Sequence, residues 1–317
     1  MKYDLGSLMK VGISIPLLII FLYFSNPIQV IRKLTELNPF VYTLGVLIFL
    51  GVYPLSAYRW KILTENLVKF SFTDCLKIIS ISYGLNKILP LNSGDLARSK
   101  IANEYEKINN HGEILGTVGL ERLLDVIVVN IIFVSTLLFY FNRLYYKLSW
   151  SIITALLVIT GLIFLFIFEE RLKHVLELLP NKFYFNKVKK LLKDSINGFN
   201  NLDSKQFVLI VIITAFRWFL DMLGFYVASM SLGLPVEQSA IVLLACFMTL
   251  ISSLPITPAG AGFAEISGSA LLVSMGYSNS TAGTLVIINR SLGLMLMGTI
   301  GIITINYEGF SYTFREN

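Results

Sequence analysis

The chain has 317 residues, 55% of them hydrophobic and 15% charged, and a formal net charge of +6. A typical soluble domain carries about 25% charged residues, and the mean hydropathy here is +0.70. These figures exclude an ordinary water-soluble enzyme, a disordered chain and a disulfide scaffold, and they imply a polytopic helical membrane protein.

In chain order, Lys2 and Lys10 precede an apolar run over 11–24 that imitates a signal peptide. Ser25-Asn26-Pro27 follows in place of a small-residue cleavage site, so the run reads as a retained anchor starting near Leu5. The second span, 40–60, reaches about 31 Å at 1.5 Å per residue, close to the hydrocarbon thickness. Further spans fall at 123–141, 150–168, 207–232 and 281–305, making six.

Two other apolar stretches are too short and too polar to cross comfortably. One, 74–89, runs into Leu89-Pro90-Leu91-Asn92-Ser93-Gly94; the other, 239–256, runs into Thr257-Pro258-Ala259-Gly260-Ala261-Gly262. Pro and Gly there free backbone groups that lipid cannot satisfy, so each reads as one arm of a re-entrant helical hairpin. Ordinary interrupted helices are the alternative. The expected fold is all-α integral membrane, with about six transmembrane helices and two re-entrant hairpins in one polytopic domain, 1–317.

With the N-terminus placed in the cytoplasm, segments 1–10, 59–73, 98–122, 169–205 and 306–317 hold eighteen basic residues against four in the opposite loops. That bias predicts a multi-pass protein of the cell membrane with both termini cytoplasmic. The basic residues cluster in loops rather than along one stripe, so no nucleic-acid partner is expected. The insertion 169–205 mixes lysines with Phe183, Tyr184 and Phe185. It reads either as an amphipathic stretch on an anionic cytoplasmic leaflet or as a solvated loop. Cys75 and Cys246 have no metal or redox spacing, and the two histidines, His111 and His174, have no ligand company. No metal, cofactor or nucleophilic catalysis is expected.

Shifted by 168 residues, Pro90 falls on Pro258, Gly94 on Gly262, Arg122 on Arg290 and Glu121 on Asn289. The order span, span, hairpin, span occurs twice, over 1–142 and 150–305. Three spans separate the two hairpins, so the halves would have opposite orientation, the inverted-repeat plan of secondary transporters. Broken helix ends of this kind offer free N–H groups to an anion.

Several charges fall at membrane depth: Asp95, Arg98, Glu121, Arg122, Asp125, Arg217, Asp221, Glu265 and Arg290, with Lys77 and Lys87 also within membrane segments. Each costs about 2.5–3.5 kcal/mol if unpaired at the bilayer centre. Ion pairs that clamp the fold are one reading, and the i,i+4 pair Arg217/Asp221 fits it best. Arginines that bind an anionic headgroup, with Asp95 and Glu265 setting their rotamers or carrying a coupling proton, are the other reading. It fits Arg98, Arg122 and Arg290 best, because the planar fork holds two phosphate oxygens at once.

The run Asn86-Lys87-Ile88-Leu89-Pro90-Leu91-Asn92-Ser93-Gly94-Asp95-Leu96-Ala97-Arg98, the helix Gly119-Leu120-Glu121-Arg122-Leu123-Leu124-Asp125, the turn Thr257 to Glu265 and Asn289-Arg290 together resemble the flippase-like family. That family comprises the transmembrane domain of lysylphosphatidylglycerol synthases and its standalone relatives. The resemblance spans roughly residues 10 to 305. Ala259 and Ala261 stand where the family usually has a Pro-Gly-Gly run, and the soluble aminoacyl-transfer domain has no counterpart here. The resemblance implies a translocator of an anionic or lipid-linked-sugar amphiphile, a membrane lipid or polyprenyl-phosphate-linked substrate. Its candidate substrate-binding residues are Asn86, Gly94, Asp95, Arg98, Glu121, Arg122, Asp125, Gly260, Gly262, Glu265 and Arg290. The alternatives are an integral-membrane lipid-modifying transferase with Asp95 or Glu265 as base, or an accessory subunit of a partner lipid-modifying enzyme.

Overall fold

A computed structural model describes residues 5–88, 93–106, 111–141, 203–253 and 257–307. The expected span at 150–168, almost all of the basic insertion and the first hairpin tip at 89–92 lie outside the described residues. Every regular element described is helical. In chain order the helices are α1 (Leu5–Phe24), α2 (Pro27–Thr35), α3 (Pro39–Leu50), α4 (Val52–Thr64), α5 (Phe72–Ile88), α6 (Ser93–Glu106) and α7 (His111–Phe141). They continue with α8 (Ser204–Met230), α9 (Gln238–Ser253), α10 (Phe263–Ser274), α11 (Asn279–Arg290) and α12 (Met297–Tyr307).

Among the described residues, three helical runs are long and apolar enough to cross a bilayer: Pro39–Thr64, Ser204–Met230 and Asn279–Tyr307. A fourth is a pair, Gly12–Phe24 and Pro27–Thr35, bent by 74°. Local chemistry sets the boundaries. Asn38 caps α3 by accepting from the backbone N–H groups of Phe40 and Val41, ahead of Pro39 in the first turn. Asp203 and Gln206 form a capping box that starts α8. Large apolar side chains such as Ile19, Phe40, Phe216, Phe219 and Ile303 remain exposed on the outer faces, as lipid-facing surfaces require and water-facing ones avoid.

Two boundaries differ from expectation. The second span continues to Thr64 instead of ending at Trp60, which draws Arg59 into the protein. The third begins at His111 instead of 123 and runs for 31 residues, about 46 Å at 1.5 Å per residue. Glu121, Arg122 and Asp125 therefore sit well inside a continuous helix. Three of the eighteen basic residues counted as cytoplasmic, Arg59, Arg98 and Arg122, belong to the helical interior. The last span is also interrupted, because a π-helical segment, Ser291–Leu296, separates α11 from α12.

The two short apolar stretches do form helical pairs: α5 packs on α6, and α9 packs on α10 through the short turn Pro258–Gly260. Each pair also packs across the chain. α5 lies against α4 and α12, and α9 against α7, while α1 reaches α10. Two glycines allow the tightest of these crossings. A Cβ on Gly84 of α5 would sit 2.5 Å from the Cα of Gly301 of α12, and one on Gly262 would sit 2.5 Å from Leu17 Cβ of α1. Gly262 also has φ of 79°, a conformation that excludes most side chains.

Candidate functional site

The membrane-depth charges gather into two clusters facing one cavity. In the first, α6 begins just past the hairpin tip and carries Asp95, whose carboxylate receives both Nε and Nη2 of Arg122 at 2.7 Å. Asn86 of α5 closes the hairpin: its Nδ2 donates to Asp95 Oδ1 at 2.8 Å, and its Oδ1 accepts from the Asp95 backbone N–H at 3.1 Å. Gly94 lies against the backbone and side chain of Asn86, leaving no room for a Cβ. Asn86, Gly94 and Asp95 are thus tied together by two hydrogen bonds and one close backbone approach.

Behind this pair lies a fully enclosed network. Arg98, with no exposed surface, donates to Glu121 and lies over the Trp60 ring, its carbon 5.5 Å from the centroid. Glu121 is shared with Arg59, which donates to Glu121 Oε1 at 3.1 Å. Arg59 also donates to both oxygens of Asp125, at 2.7 and 3.3 Å, and to Thr214 at 3.0 Å. Asp125 further accepts from Arg217 at 3.3 Å and from Trp218 Nε1 at 3.0 Å. Arg217 thus bonds across elements to Asp125 rather than acting only with Asp221, one turn away on its own helix. Four elements, α4, α6, α7 and α8, meet on these bonds. Charges so deep persist only where each is paired and hydrogen-bonded.

The second cluster follows the same plan with different bonds. Arg290 Nε lies 2.7 Å from Glu265 Oε1, and its two terminal nitrogens donate to the carbonyls of Ala259 and Gly260 at 3.2 Å each. The guanidinium therefore holds the turn by its backbone. That turn carries strain: Ala259 has φ of 50°, beside Gly260 at 70°. Alanine in this region costs about 1–2 kcal/mol. Immediately after Arg290 the helix widens into the π segment, a feature frequent at functional sites.

Between the clusters lies a cavity of about 220 Å³. Its wall includes four cations, Lys87, Arg122, Arg217 and Arg290, and two carboxylates, Asp125 and Asp221. Asn86, Tyr83, Trp218, Thr249, Ser252, Ser253 and Asn289 complete its polar lining, beside Ala259 of the turn. Of the residues expected from sequence, Asn86, Arg122, Asp125 and Arg290 reach this cavity. Asp95, Gly260 and Glu265 stand behind it and bind Arg122 and Arg290, Arg98 and Glu121 belong to the enclosed network, and Gly94 and Gly262 mark close approaches to Asn86 and to α1. Arg122 remains 43% exposed along its side chain despite its bidentate bond. Among the described residues, no three His, Cys, Asp or Glu side chains gather as metal ligands would.

One network residue, Arg59, escapes a reading of the sequence. It stands between Tyr58 and Trp60 at the end of an apolar run, the arrangement of an interfacial anchor. Only the continuation of the helix to Thr64 reveals it as interior.

Comparison with known proteins agrees with this architecture. The profile of the family described as lysylphosphatidylglycerol synthase TM region matches residues 7–301. The chain belongs to this family. It is similar to a UPF0104 membrane protein of Methanothermobacter thermautotrophicus, with 22% identity over 309 residues covering 92% of this chain and 90% of that one. A UPF0104 membrane protein of Pyrococcus horikoshii shares 20% over 317 residues, covering 92% and 94% of the two chains. One from Methanocaldococcus jannaschii shares 23% over 225 residues, covering 69% of this chain and 92% of the relative.

Proposed function

We propose that this family member is a lipid translocator, which moves an anionic or lipid-linked-sugar amphiphile between leaflets with its headgroup near the bilayer midplane. The observation that carries the proposal is the cavity between the two helical pairs, lined by four cations and two carboxylates and built from both halves of the chain. A soluble donor has no recognisable seat in it, whereas a phosphate-bearing headgroup matches its charge. The paired geometry supports an inverted-repeat reading: Arg122 and Arg290, 168 positions apart, each bind a carboxylate just past a hairpin turn. Two such units in opposite orientation would give alternating access, with the hairpins re-entering from opposite faces, both termini in the cytoplasm and acyl or prenyl tails left in lipid.

The test is reconstitution into vesicles with fluorescent phosphatidylglycerol, and separately with a fluorescent polyprenyl-phosphate analogue. Chemical quenching of the outer leaflet then follows movement. Wild-type protein should accelerate equilibration of at least one substrate, and Arg290→Ala or Glu265→Gln should abolish the gain. Rates equal to those of protein-free vesicles for both lipids would refute the proposal. Cysteines introduced at positions 92 and 259 should react with an impermeant maleimide from opposite sides; labelling from one side alone would dismiss the inverted arrangement.

A further inference from the structure

The charges of the network and the cavity do not balance. Arg59, Arg98, Arg122, Arg217, Arg290 and Lys87 face five carboxylates, Asp95, Glu121, Asp125, Asp221 and Glu265. The arginines are each engaged. Arg122 is bound in a fork to Asp95, Arg98 to Glu121, Arg59 to Glu121 and Asp125, Arg217 to Asp125, and Arg290 to Glu265 and two carbonyls. Lys87, at the end of α5, is different. Among the described residues it has no hydrogen bond and no ion pair, and its ammonium borders the cavity above Gly293, where an added Cβ would lie 3.8 Å from Nζ.

We propose that Lys87 is the primary contact for the substrate's anionic group, and that this group is a singly charged phosphate diester of a lipid headgroup. The inference rests on the translocator reading and deepens it. One surplus positive charge in the network and cavity calls for one negative charge, and a diester carries one. Cations border the cavity from α5, α7, α8 and α11, an arrangement that suits oxygens directed several ways rather than a planar carboxylate. A volume of about 220 Å³ is many times what a single water needs. It admits a phosphate and a few attached atoms, while the chains stay outside. Lysine supplies three donors on a flexible stem, able to follow an oxygen that the braced arginines cannot.

The experiment measures equilibrium binding to purified full-length protein in detergent, by intrinsic fluorescence, with three probes. Dioctanoylphosphatidylglycerol should bind saturably. Dioctanoylglycerol, without the phosphate, and free glycerol 3-phosphate, without the chains, should bind at least about tenfold more weakly, a difference near 1.4 kcal/mol. Lys87→Gln should lose about tenfold in affinity for the phospholipid, whereas Lys87→Arg should stay close to wild type. The melting temperature of Lys87→Gln should not fall, because no hydrogen bond or ion pair among the described residues is lost, and the repulsion relieved from Arg290, Arg122 and Arg217 offsets the attraction to Asp221. Wild-type affinity in Lys87→Gln, equal binding of the neutral lipid, or equal binding of glycerol 3-phosphate would overturn the proposal. A melting temperature lowered in Lys87→Gln would assign the lysine to the fold and overturn it as well. Lost binding in Lys87→Gln without any translocation by the wild type leaves this inference standing and removes the transport reading. Translocation by the wild type with undiminished binding in Lys87→Gln does the reverse.

Discussion

Replacing Arg59 by methionine tests whether the enclosed network holds the fold. The guanidinium has no exposed surface and makes four bonds: one to Glu121, two to Asp125 and one to Thr214, between 2.7 and 3.3 Å. Methionine fills a similar length with apolar atoms, so packing changes little and the loss is electrostatic. Breaking a buried ion pair by removing one partner costs about 3–5 kcal/mol. The lower end applies here, because Glu121 keeps Arg98 and Asp125 keeps Arg217 and Trp218. At about 2–4 °C per kcal/mol for a larger domain, a loss of about 3 kcal/mol lowers the melting temperature by roughly 6–12 °C. The assay is thermal unfolding of the detergent-purified protein, with Arg32→Ala as control. Arg32 and Glu36 form an i,i+4 pair with side chains 81% and 64% exposed, so the control should not move measurably. A double-mutant cycle with Glu121→Gln should return a coupling of about 1–3 kcal/mol. An Arg59→Met protein melting within about 2 °C of wild type, well below the shift expected from the per-residue entropy, would refute the view that Arg59 is a structural tie.

The strained turn and the tight crossings give three further outcomes. Ala259→Gly relieves the left-handed alanine and should raise stability by about 1 kcal/mol, read as a higher melting temperature. Gly301→Leu should prevent folding, since its side chain would need the space held by the backbone of Gly84, and size-exclusion chromatography would show aggregate in place of a single peak. Cys75 and Cys246 have no exposed surface; both thiols should resist maleimide in the folded protein and react once it is unfolded in detergent.

Hydropathy makes the spans legible because lipid imposes it on every turn of a crossing helix. The apolar runs at 40–60, 207–232 and 281–305 fall on helices within a few residues of their ends. The carboxylates after the turns were equally readable, since Gly94-Asp95 and Glu265 follow helix breakers at matching positions of the repeat. Two residues resist such reading for different reasons. Arg59 wears the flanking aromatics of an anchor, and whether a helix ends or continues past them depends on α7 and α8 supplying Glu121, Asp125 and Thr214 from distant sequence. Lys87 has no counterpart in the repeat, because the same offset lands on Pro255, so matching the halves passes over it. Its distinction is that it has no hydrogen bond or ion pair among the described residues, and that is a property of the packed fold alone. The π segment after Arg290 is likewise invisible, since Ser291–Leu296 has the composition of ordinary helix.

The two arginines that lie 168 positions apart are therefore alike in each binding a carboxylate just past a hairpin turn, and unequal in attachment. Arg122 is held through side chains: Asp95 takes its fork, and Asn86 holds Asp95 to the other arm of the hairpin. Arg290 is held through main-chain carbonyls of a turn that contains a left-handed alanine, and its own helix loosens into π geometry one residue later. Moving the first arginine breaks a charge-assisted bidentate bond; moving the second breaks two bonds to neutral carbonyls and its single contact with Glu265. All of these bonds have an ionised donor and are charge-assisted, so the difference lies in what each arginine grips: a carboxylate twice for Arg122, and a carboxylate once with the backbone of the turn for Arg290. A charge at membrane depth is thus informative only through its partners. Those bonded across several elements define the scaffold, and Lys87, with no hydrogen bond or ion pair among the described residues, borders the cavity.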